Sequence, residues 1–530
     1  MLRFPYHQDV HISRVGARPS RAYYIPFADR ENALFGIRTT SERLKMLSGK
    51  WRFRYFSSLQ DVPEDLFDPA LYIDRIDVPS VWQMQGFDAH QYTNVRFPIP
   101  FDPPFVPHDN PCGLYHRSFE VEKQEGMRYL VNFEGVDSCC YVYVNGSFAG
   151  YHQVSHCTGE YDITDLVTDG DNDLTVLVLK WCDGTYFEDQ DKFRQSGIFR
   201  DVYLLTRPES RLEDYFVHTR LSPRGGSALI TVDLTYEGSC ETQWELLDPA
   251  GKRITSGTAA DRIECTVKKP QLWNAESPAL YQLILHCNGE YIVEPVGIRQ
   301  ITVKKGVILL NGKPIKFRGV NRHDSDPFVG AAVDEAHMLR DLILMKQHNI
   351  NAIRTSHYPN SPLFTRLCDQ YGFYVIDEAD VECHGVVYAG GPNRSSPDKD
   401  KCYNLLANDP AFAAPILDRV QLMVQRDKNR PCVLMWSMGN EAGYGVNFLA
   451  PLRWCKETDP DRLTHYERAS FPPEGMDFPE DLDTYSRMYP SIETIDRYFR
   501  QIKNGRVEKE VPGRSDYAAS HVMRKPYVLC

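Results

Sequence analysis

The sequence lacks the segments that mark membrane-embedded and secreted proteins. No apolar run approaches the roughly 20 residues that a transmembrane helix needs. The first residues, MLRFPYHQDVHISRVGARPS, contain no apolar core of the kind found in secretory signal peptides. We therefore expect a cytoplasmic protein with no membrane partner.

A basic stripe and paired cysteines are also missing. The chain has 60 Lys and Arg against 72 Asp and Glu, a formal net charge of -12 spread along its length. Nothing in this distribution would neutralise phosphates, which argues against a nucleic-acid partner. The 14 cysteines form no CxxC pair, so we expect reduced thiols rather than a disulfide framework.

The chain is long, and it contains three successive regions with different secondary-structure patterns. Its 530 residues exceed the roughly 250–300 that one core supports. Residues 1–207 contain short strand-like runs with an Asn145-Gly146 hairpin signal, which predicts a β-sandwich jelly roll. Residues 208–301 contain a smaller set of strands, the size of an immunoglobulin-like sandwich.

In residues 302–530, strand-like and helix-like runs alternate, which predicts a parallel sheet of the TIM-barrel kind. The predicted strands are FRGVNRH, NAIRTSHY, YGFYVIDEAD, CVLMWSMGNE, LTHYE, LDTYSRMY and KPYVLC. That is one fewer than a closed (β/α)8 barrel, so we expect a barrel incomplete at its C-terminus. Chemistry in this fold lies at the carboxyl ends of the strands, where the sequence places His323, His357, Glu378, Asp380 and Glu441.

Glu441 is the strongest candidate for catalysis, because it follows the apolar run VLMW and the small step SMGN. Burial at a strand end would raise its pKa, as a general acid requires. The alternative is a carboxylate that only begins a helix. Glu382 and His384, in DEADVECHG, could share a divalent cation such as Mg²⁺ with Glu441. The alternative for this pair is a salt-bridged loop with a surface histidine.

Three further side chains are expected at the barrel mouth. His323 and His357 end neighbouring strands and could hydrogen-bond sugar hydroxyls, although either could be purely structural. Arg354 is predicted to face inward, where it needs a carboxylate partner. The segment FEDQDKFRQSGIFRD of the first region is predicted to reach the barrel mouth, the alternative being a solvated loop.

Together these segments resemble glycoside hydrolase family 2. RTSHYPNSPLFTRLCDQYGFYVIDE and DKNRPCVLMWSMGNE are similar to its two signatures. NVRFPIPFDPPFVPHDNPCG, FEDQDKFRQSGIFRD and NRHDSDPFVG favour its β-galactosidases. The resemblance implies a retaining hydrolase of terminal, non-reducing β-D-galactose, acting on a β-galactoside substrate as a homo-oligomer.

The resemblance also implies roles for single residues. It makes Glu441 the acid/base and, with Glu382 and His384, a magnesium ligand. The sugar would contact Asn94, Asp191, His323, His357 and Asn440, with Asn440 at the 2-hydroxyl and Asp191 also a sodium ligand. Arg354 and Tyr489 would orient the nucleophile, a glutamate that the family places directly after the residue matching Cys530. We therefore expect residues 1–530 to be an N-terminal fragment, poorly folded in its barrel and with negligible turnover alone.

Other interpretations stay open at this point. The chain could belong to a β-glucuronidase or β-mannosidase of the same family, although a glucuronidase needs a cationic pocket for its substrate carboxylate. It could be the non-catalytic, sugar-binding half of a split enzyme. It could also come from an incomplete gene record, which we favour because the sequence stops inside a strand.

Overall fold

The structure is a computed structural model that describes residues 5–389, 399–473, 475–504 and 525–530. Strands dominate up to residue 314, and strands then alternate with helices. Within the described ranges, no helix is both long enough and apolar enough to cross a membrane. All 14 cysteines fall in these ranges and none forms a disulfide.

The first region is a β-sandwich with one short helix, α1 (Arg30–Phe35). Its strands are β1 Arg14–Val15, β2 Leu44–Met46, β3 Gly49–Phe56, β4 Asp74–Val78, β5 Cys112–Val121, β6 Met127–Phe133, β7 Val136–Asp137, β8 Cys139–Val144, β9 Ser147–Gln153, β10 Gly159–Asp162, β11 Gly170–Leu179, β12 Gly197–Ile198 and β13 Val202–Pro208. One sheet has the order β1-β9-β8-β11-β5-β3-β4 and the other β10-β6-β13-β2, and a short ribbon pairs β7 with β12. An apolar core including Trp51, Phe133 and Val176 fills the sandwich.

The hairpin predicted at Asn145-Gly146 is confirmed. It joins β8 to β9, and both turn residues have positive φ, 50° and 78°. Two successive left-handed residues are what a two-residue hairpin turn requires, and Asn followed by Gly tolerates them best.

The second region is a smaller sandwich with its own core, which includes Leu246, Ile263 and Leu283. Its strands are β14 Arg211–Leu221, β15 Ser227–Glu237, β16 Thr242–Leu247, β17 Arg253–Ala259, β18 Arg262–Lys268, β19 Tyr281–Cys287 and β20 Glu290–Val296. They form sheets of order β14-β15-β18 and β17-β16-β19-β20, an immunoglobulin-like arrangement of three and four strands. The exact divisions at 207/208 and 301/302 stay predictions.

A meander then leads into the barrel region, where all seven predicted strands are present. The meander consists of β21 Ile301–Lys304, β22 Val307–Leu310 and β23 Lys313–Pro314. The barrel strands are β24 Gly319–Arg322, β25 Ala352–Thr355, β26 Tyr374–Glu378, β27 Val433–Ser437, β28 Leu463–His465, β29 Tyr485–Arg487 and β30 Tyr527–Leu529. The helices are α2 Glu335–Gln347, α3 Pro362–Tyr371, α4 Lys399–Tyr403, α5 Leu405–Asn408, α6 Ala413–Asp427, α7 Leu449–Thr458 and α8 Ile492–Asn504.

The barrel strands run parallel. β24 to β28 form one five-stranded sheet in sequence order, and β29 pairs with β30. Every residue of β25, β26 and β27 is buried, as expected for strands covered on both faces. No eighth barrel strand occurs among the described residues, so the barrel is incomplete in this structure. Ser361 caps the N-terminus of helix α3, and Gly372, in the left-handed conformation, ends the helix.

The first region and the barrel are joined by the loop that contains FEDQDKFRQSGIFRD. The Glu382 amide donates to the carbonyl of Phe187 at 2.6 Å, and the Asp189 amide donates to the carbonyl of Glu382 at 3.0 Å. Arg419 of α6 donates to Glu188 at 2.6 Å. The prediction that this loop reaches the barrel is therefore confirmed.

Candidate active site

The polar side chains predicted for the site converge at the carboxyl ends of β24 to β27. His323 follows β24, His357 follows β25, and Glu441 follows β27. The tight step before Glu441 depends on Gly439, whose φ is 132° and whose added Cβ would lie 2.4 Å from the carbonyl oxygen of Val381. Only glycine fits there without strain.

Glu382, His384 and Glu441 form a cluster that could hold a cation. One ligand atom from each lies within 4.8 Å of the others, and His384 Nδ1 is 3.0 Å from Glu441 Oε2. Glu382 Oε1 is buried and has no hydrogen-bond partner among the described residues. Burial raises the pKa of Glu382 well above its usual range. An orphaned, buried carboxylate oxygen beside a second carboxylate and an imidazole fits a divalent cation.

The expected rise in the pKa of Glu441 is wrong for this structure. Burial acts to raise it, but the hydrogen bond with His384 and the charges of His384, His357 and Arg468 lower the pKa overall. The Glu441 side chain keeps 26% of its surface exposed, so it remains within reach of a substrate. The sequence indicated burial of the Glu441 carboxylate but not its hydrogen bond with the His384 imidazole.

Glu378 is the centre of a buried polar network that the sequence did not reveal. Its carboxylate accepts from Arg354 Nε at 2.7 Å and Ser437 Oγ at 2.6 Å, and it lies 2.6 Å from His357 Nδ1. Burial opposes ionisation, yet these three partners hold the pKa of Glu378 at about 2. The carboxylate predicted for Arg354 is therefore Glu378. Ser437 Oγ also lies 2.8 Å from His465 Nδ1, a second group that the sequence did not single out.

Asn440 links this network to the cation cluster. Its Oδ1 accepts from Arg354 Nη2 at 3.1 Å, and its Nδ2 donates to Glu382 Oε2 at 3.0 Å. The side-chain amide is thereby fixed in one orientation, since the Arg354 guanidinium only donates and must therefore face the amide oxygen. Arg354, Asn440, Glu382 and the adjacent Glu441 therefore act as one connected set.

The two predicted histidines meet at the mouth. The rings of His323 and His357 lie edge to face, 5.5 Å apart. Burial lowers the pKa of His323 to about 4, so the ring is neutral near pH 7. Its Nδ1 lies 3.2 Å from the Tyr358 hydroxyl.

Asp191 and Asn94 lie on the first-region side of the same mouth. A cavity of about 240 Å³ is lined by Asp191, Lys192, His323 and Tyr92. Asp191 raises the pKa of the neighbouring Tyr92 phenol, and Asn94, on the same phenol, acts to lower it. Asp191 and Asn94 thus both lie near Tyr92, and Asp191 and His323 line the same cavity.

The orienting role predicted for Arg354 and Tyr489 stays a prediction, and the two side chains differ in burial. The Tyr489 side chain is 92% exposed, whereas the Arg354 guanidinium is buried against Glu378. Cys530, which follows β30, lies close enough to this network that the charges of Arg354 and Glu378 act on its thiol. Burial raises the pKa of that thiol to about 12.

Three family models match the chain. Residues 44–208 match the sugar binding domain of the glycosyl hydrolases family 2, residues 210–299 match a domain described as glycosyl hydrolases family 2, and residues 301–530 match its TIM barrel domain.

Similar curated proteins include the beta-galactosidases of Actinobacillus pleuropneumoniae and Staphylococcus xylosus. The first is 46% identical over 99% of this chain and 52% of that protein. The second is 39% identical over 100% of this chain and 51% of that protein. The chain thus spans about half the length of these relatives.

Solved structures with the same fold include two beta-glucuronidases. That of Bifidobacterium dentium, complexed with coumarin-3-O-glucuronide, has a TM-score of 0.72 at 22% identity, covering 92% of this chain and 83% of that one. That of Ruminococcus gnavus has a TM-score of 0.72 at 20% identity, covering 97% and 85%. At such identities the likeness concerns the fold alone.

Proposed function

Because the chain belongs to glycosyl hydrolase family 2, we propose that its protein hydrolyses terminal, non-reducing β-D-galactosides with retention of configuration. One observation carries the proposal. Glu441 stands partly exposed at the end of β27, in a chain that is 46% identical to a beta-galactosidase along 99% of its length.

Glu441 is proposed as the acid/base of the reaction. It protonates the glycosidic oxygen as the leaving sugar departs, and it then removes a proton from the water that releases galactose. Its lowered pKa favours the base half of this cycle. A sugar in the mouth would exclude water from the carboxyl and shift its pKa upward, towards the acid half.

The other residues at the mouth are proposed to bind and orient the sugar. Neutral His323 and His357 can hydrogen-bond hydroxyls, Asp191 accepts from a hydroxyl in the cavity, and Asn440 presents an already oriented amide. Asn94 completes this set at the rim. Glu378 is not proposed as the nucleophile, because it is fully buried and held by Arg354. The family resemblance places that second carboxylate after β30.

Glu382, His384 and Glu441 would hold Mg²⁺, which when bound supplies positive charge beside the acid/base. Asp191 is proposed to contribute to a Na⁺ site. The homo-oligomer, the cytoplasmic location and negligible turnover by residues 1–530 alone stay predictions, which size-exclusion chromatography, cell fractionation and assay of that segment would check.

A β-glucuronidase is not favoured by the cavity. Lys192 lines it, but the Lys192 amine lies 3.2 Å from His156 and over the ring of Tyr358. It is therefore already engaged rather than presented to a substrate carboxylate. The beta-galactosidase names of the curated relatives point the same way.

The test is to assay the protein, as its gene encodes it, on 4-nitrophenyl β-D-galactoside, β-D-glucuronide and β-D-mannoside. We expect cleavage of the galactoside at least 100-fold faster than the others. Glu441→Gln should remove nearly all hydrolysis of lactose, because that leaving group needs protonation. Glu245→Gln, a surface carboxylate paired with Arg30 in the second region, is the matched control. A preference for the glucuronide, or a Glu441→Gln variant that still hydrolyses lactose, would refute the proposal.

A further inference from the structure

The position of Asp191 depends on the two residues next to it in the sequence, Gln190 and Lys192. Asp191 itself is exposed, and it raises the pKa of the neighbouring Tyr92 phenol of the same region. Gln190, in contrast, is fully buried, and Lys192 is half-buried. How Asp191 is presented to the cavity therefore depends on what holds residues 190 and 192.

Both neighbours are anchored on one carboxylate of the barrel, that of Asp380. Gln190 Nε2 donates directly to Asp380 Oδ1 at 2.8 Å. On the other side, Lys192 Nζ lies 3.2 Å from His156 Nε2, and His156 Nδ1 lies 2.7 Å from Asp380 Oδ2. Asp380 follows β26 and is completely buried, so its carboxylate is a rigid point of attachment.

With Lys192 charged and Asp380 ionised, the hydrogen bonds from Lys192 through His156 to Asp380 run in one direction. An ammonium group only donates and an ionised carboxylate only accepts. His156 must therefore accept from Lys192 at Nε2 and donate to Asp380 from Nδ1, as a neutral imidazole. Burial lowers the pKa of His156 well below its ordinary value, which agrees with a neutral imidazole.

The same group of residues contacts the sugar site. The His156 ring stacks on Tyr358 with centroids 3.9 Å apart, and Lys192 Nζ lies 4.4 Å from the centroid of the Tyr358 ring. The Tyr358 hydroxyl lies 3.2 Å from His323 Nδ1. Lys192, Tyr358 and His323 all line the same cavity as Asp191.

We propose that Lys192, His156 and Asp380 are positioning residues that clamp the loop on both sides of Asp191 and thereby set the affinity of the cavity for its sugar. The clamp connects the first region to the barrel. The part of this inference that concerns sugar affinity rests on the proposed function, since it takes Asp191 as a sugar ligand.

The test uses Lys192→Met, which keeps the aliphatic length and removes the ammonium, in the protein as its gene encodes it. We expect KM for 4-nitrophenyl β-D-galactoside to rise about tenfold with kcat within about twofold, because binding is lost equally in ground and transition states. Lys192→Arg should recover most of the affinity, because a guanidinium can also donate to His156. Asp380→Asn should act like Lys192→Met if it folds.

Two comparisons separate positioning from a structural role. Lys428→Met removes a different ammonium, one that pairs with Asp214 and lies 5.6 Å over Phe216, and it should leave KM unchanged. In an Asp191→Asn background, Lys192→Met should have little further effect on KM. A full tenfold effect in that background, or an unchanged KM for Lys192→Met alone, would overturn the proposal.

Hydrogen exchange tests the clamp independently of the proposed function. The amides of residues 188–194 should exchange at least tenfold faster in Lys192→Met than in Lys428→Met. If that occurs while Asp191→Asn leaves KM unchanged, the clamp stands and the assigned role of Asp191 fails. If exchange of the loop is the same in both variants, the clamp itself is refuted.

Discussion

Replacing Glu378 by glutamine should destabilise the barrel strands by an amount that depends on pH. The carboxylate has a pKa of about 2 in the fold against an ordinary 4.5. This difference corresponds to about 3 kcal/mol of stabilisation at pH 7. Glutamine keeps the size of the side chain, but it leaves the buried Arg354 without its counter-charge.

The sign of the pH dependence follows from the lowered pKa. Both the folded and unfolded forms have an ionised Glu378 above pH 4.5, so the stabilisation is complete there. As pH falls below 4.5, the unfolded chain takes up a proton first, and the stabilisation shrinks. It should be about 1 kcal/mol at pH 3 and absent below pH 2.

The measurement is hydrogen exchange of the backbone amides of β25, β26 and β27 in the wild type and in Glu378→Gln. We expect a difference in local free energy of opening of about 3 kcal/mol at pH 7 that falls to about 1 kcal/mol at pH 3. Glu294→Gln is the matched control, because burial raises the pKa of Glu294 beside Arg430. Its effect should not decline as pH falls from 4.5 to 3. A Glu378→Gln difference that is below about 1 kcal/mol at pH 7, or equal at both pH values, would refute the reasoning.

Three further changes test other parts of the account. Gly439→Ala should lower kcat/KM at least 100-fold and the free energy of unfolding by about 1–3 kcal/mol, because the new Cβ meets the Val381 carbonyl; full activity would contradict this. Removing divalent cations with EDTA should lower activity, and adding Mg²⁺ should raise the Tm of the wild type but not of Glu382→Gln; equal shifts in both would argue against the cluster. Gly146→Val should cost about 1–2 kcal/mol in urea unfolding, with no change in KM, because φ is 78°; a variant as stable as the wild type would contradict the turn assignment.

The sequence predicted the order of the strands better than the contacts between side chains. Seven barrel strands could be recognised because parallel strands such as VLMWS are apolar at nearly every position. The convergence of Glu382, His384 and Glu441 followed from their positions after β26 and β27. The network at Glu378 could not be found this way, since its partner Ser437, and His465 that contacts Ser437, come from other strands and carry no local pattern.

The errors have physical causes of the same kind. The pKa of Glu441 depends on whether the His384 side chain, which comes after a neighbouring strand, contacts it. Residue spacing alone does not determine that contact. Tyr489, which is predicted to orient the nucleophile together with Arg354, faces solvent after β29, and its role stays a prediction. The clamp on Asp191 joins residues 156, 192 and 380, whose separations along the chain give no signal.

The most direct test of the central claim is azide rescue of Glu441→Gly in the protein as its gene encodes it. With 4-nitrophenyl β-D-galactoside, whose leaving group needs no proton, we expect turnover limited by release of galactose from the enzyme. Azide should then accelerate it at least tenfold and yield β-galactosyl azide, identified by NMR. No acceleration, or an α-configured azide product, would contradict Glu441 as the acid/base of a retaining β-galactosidase.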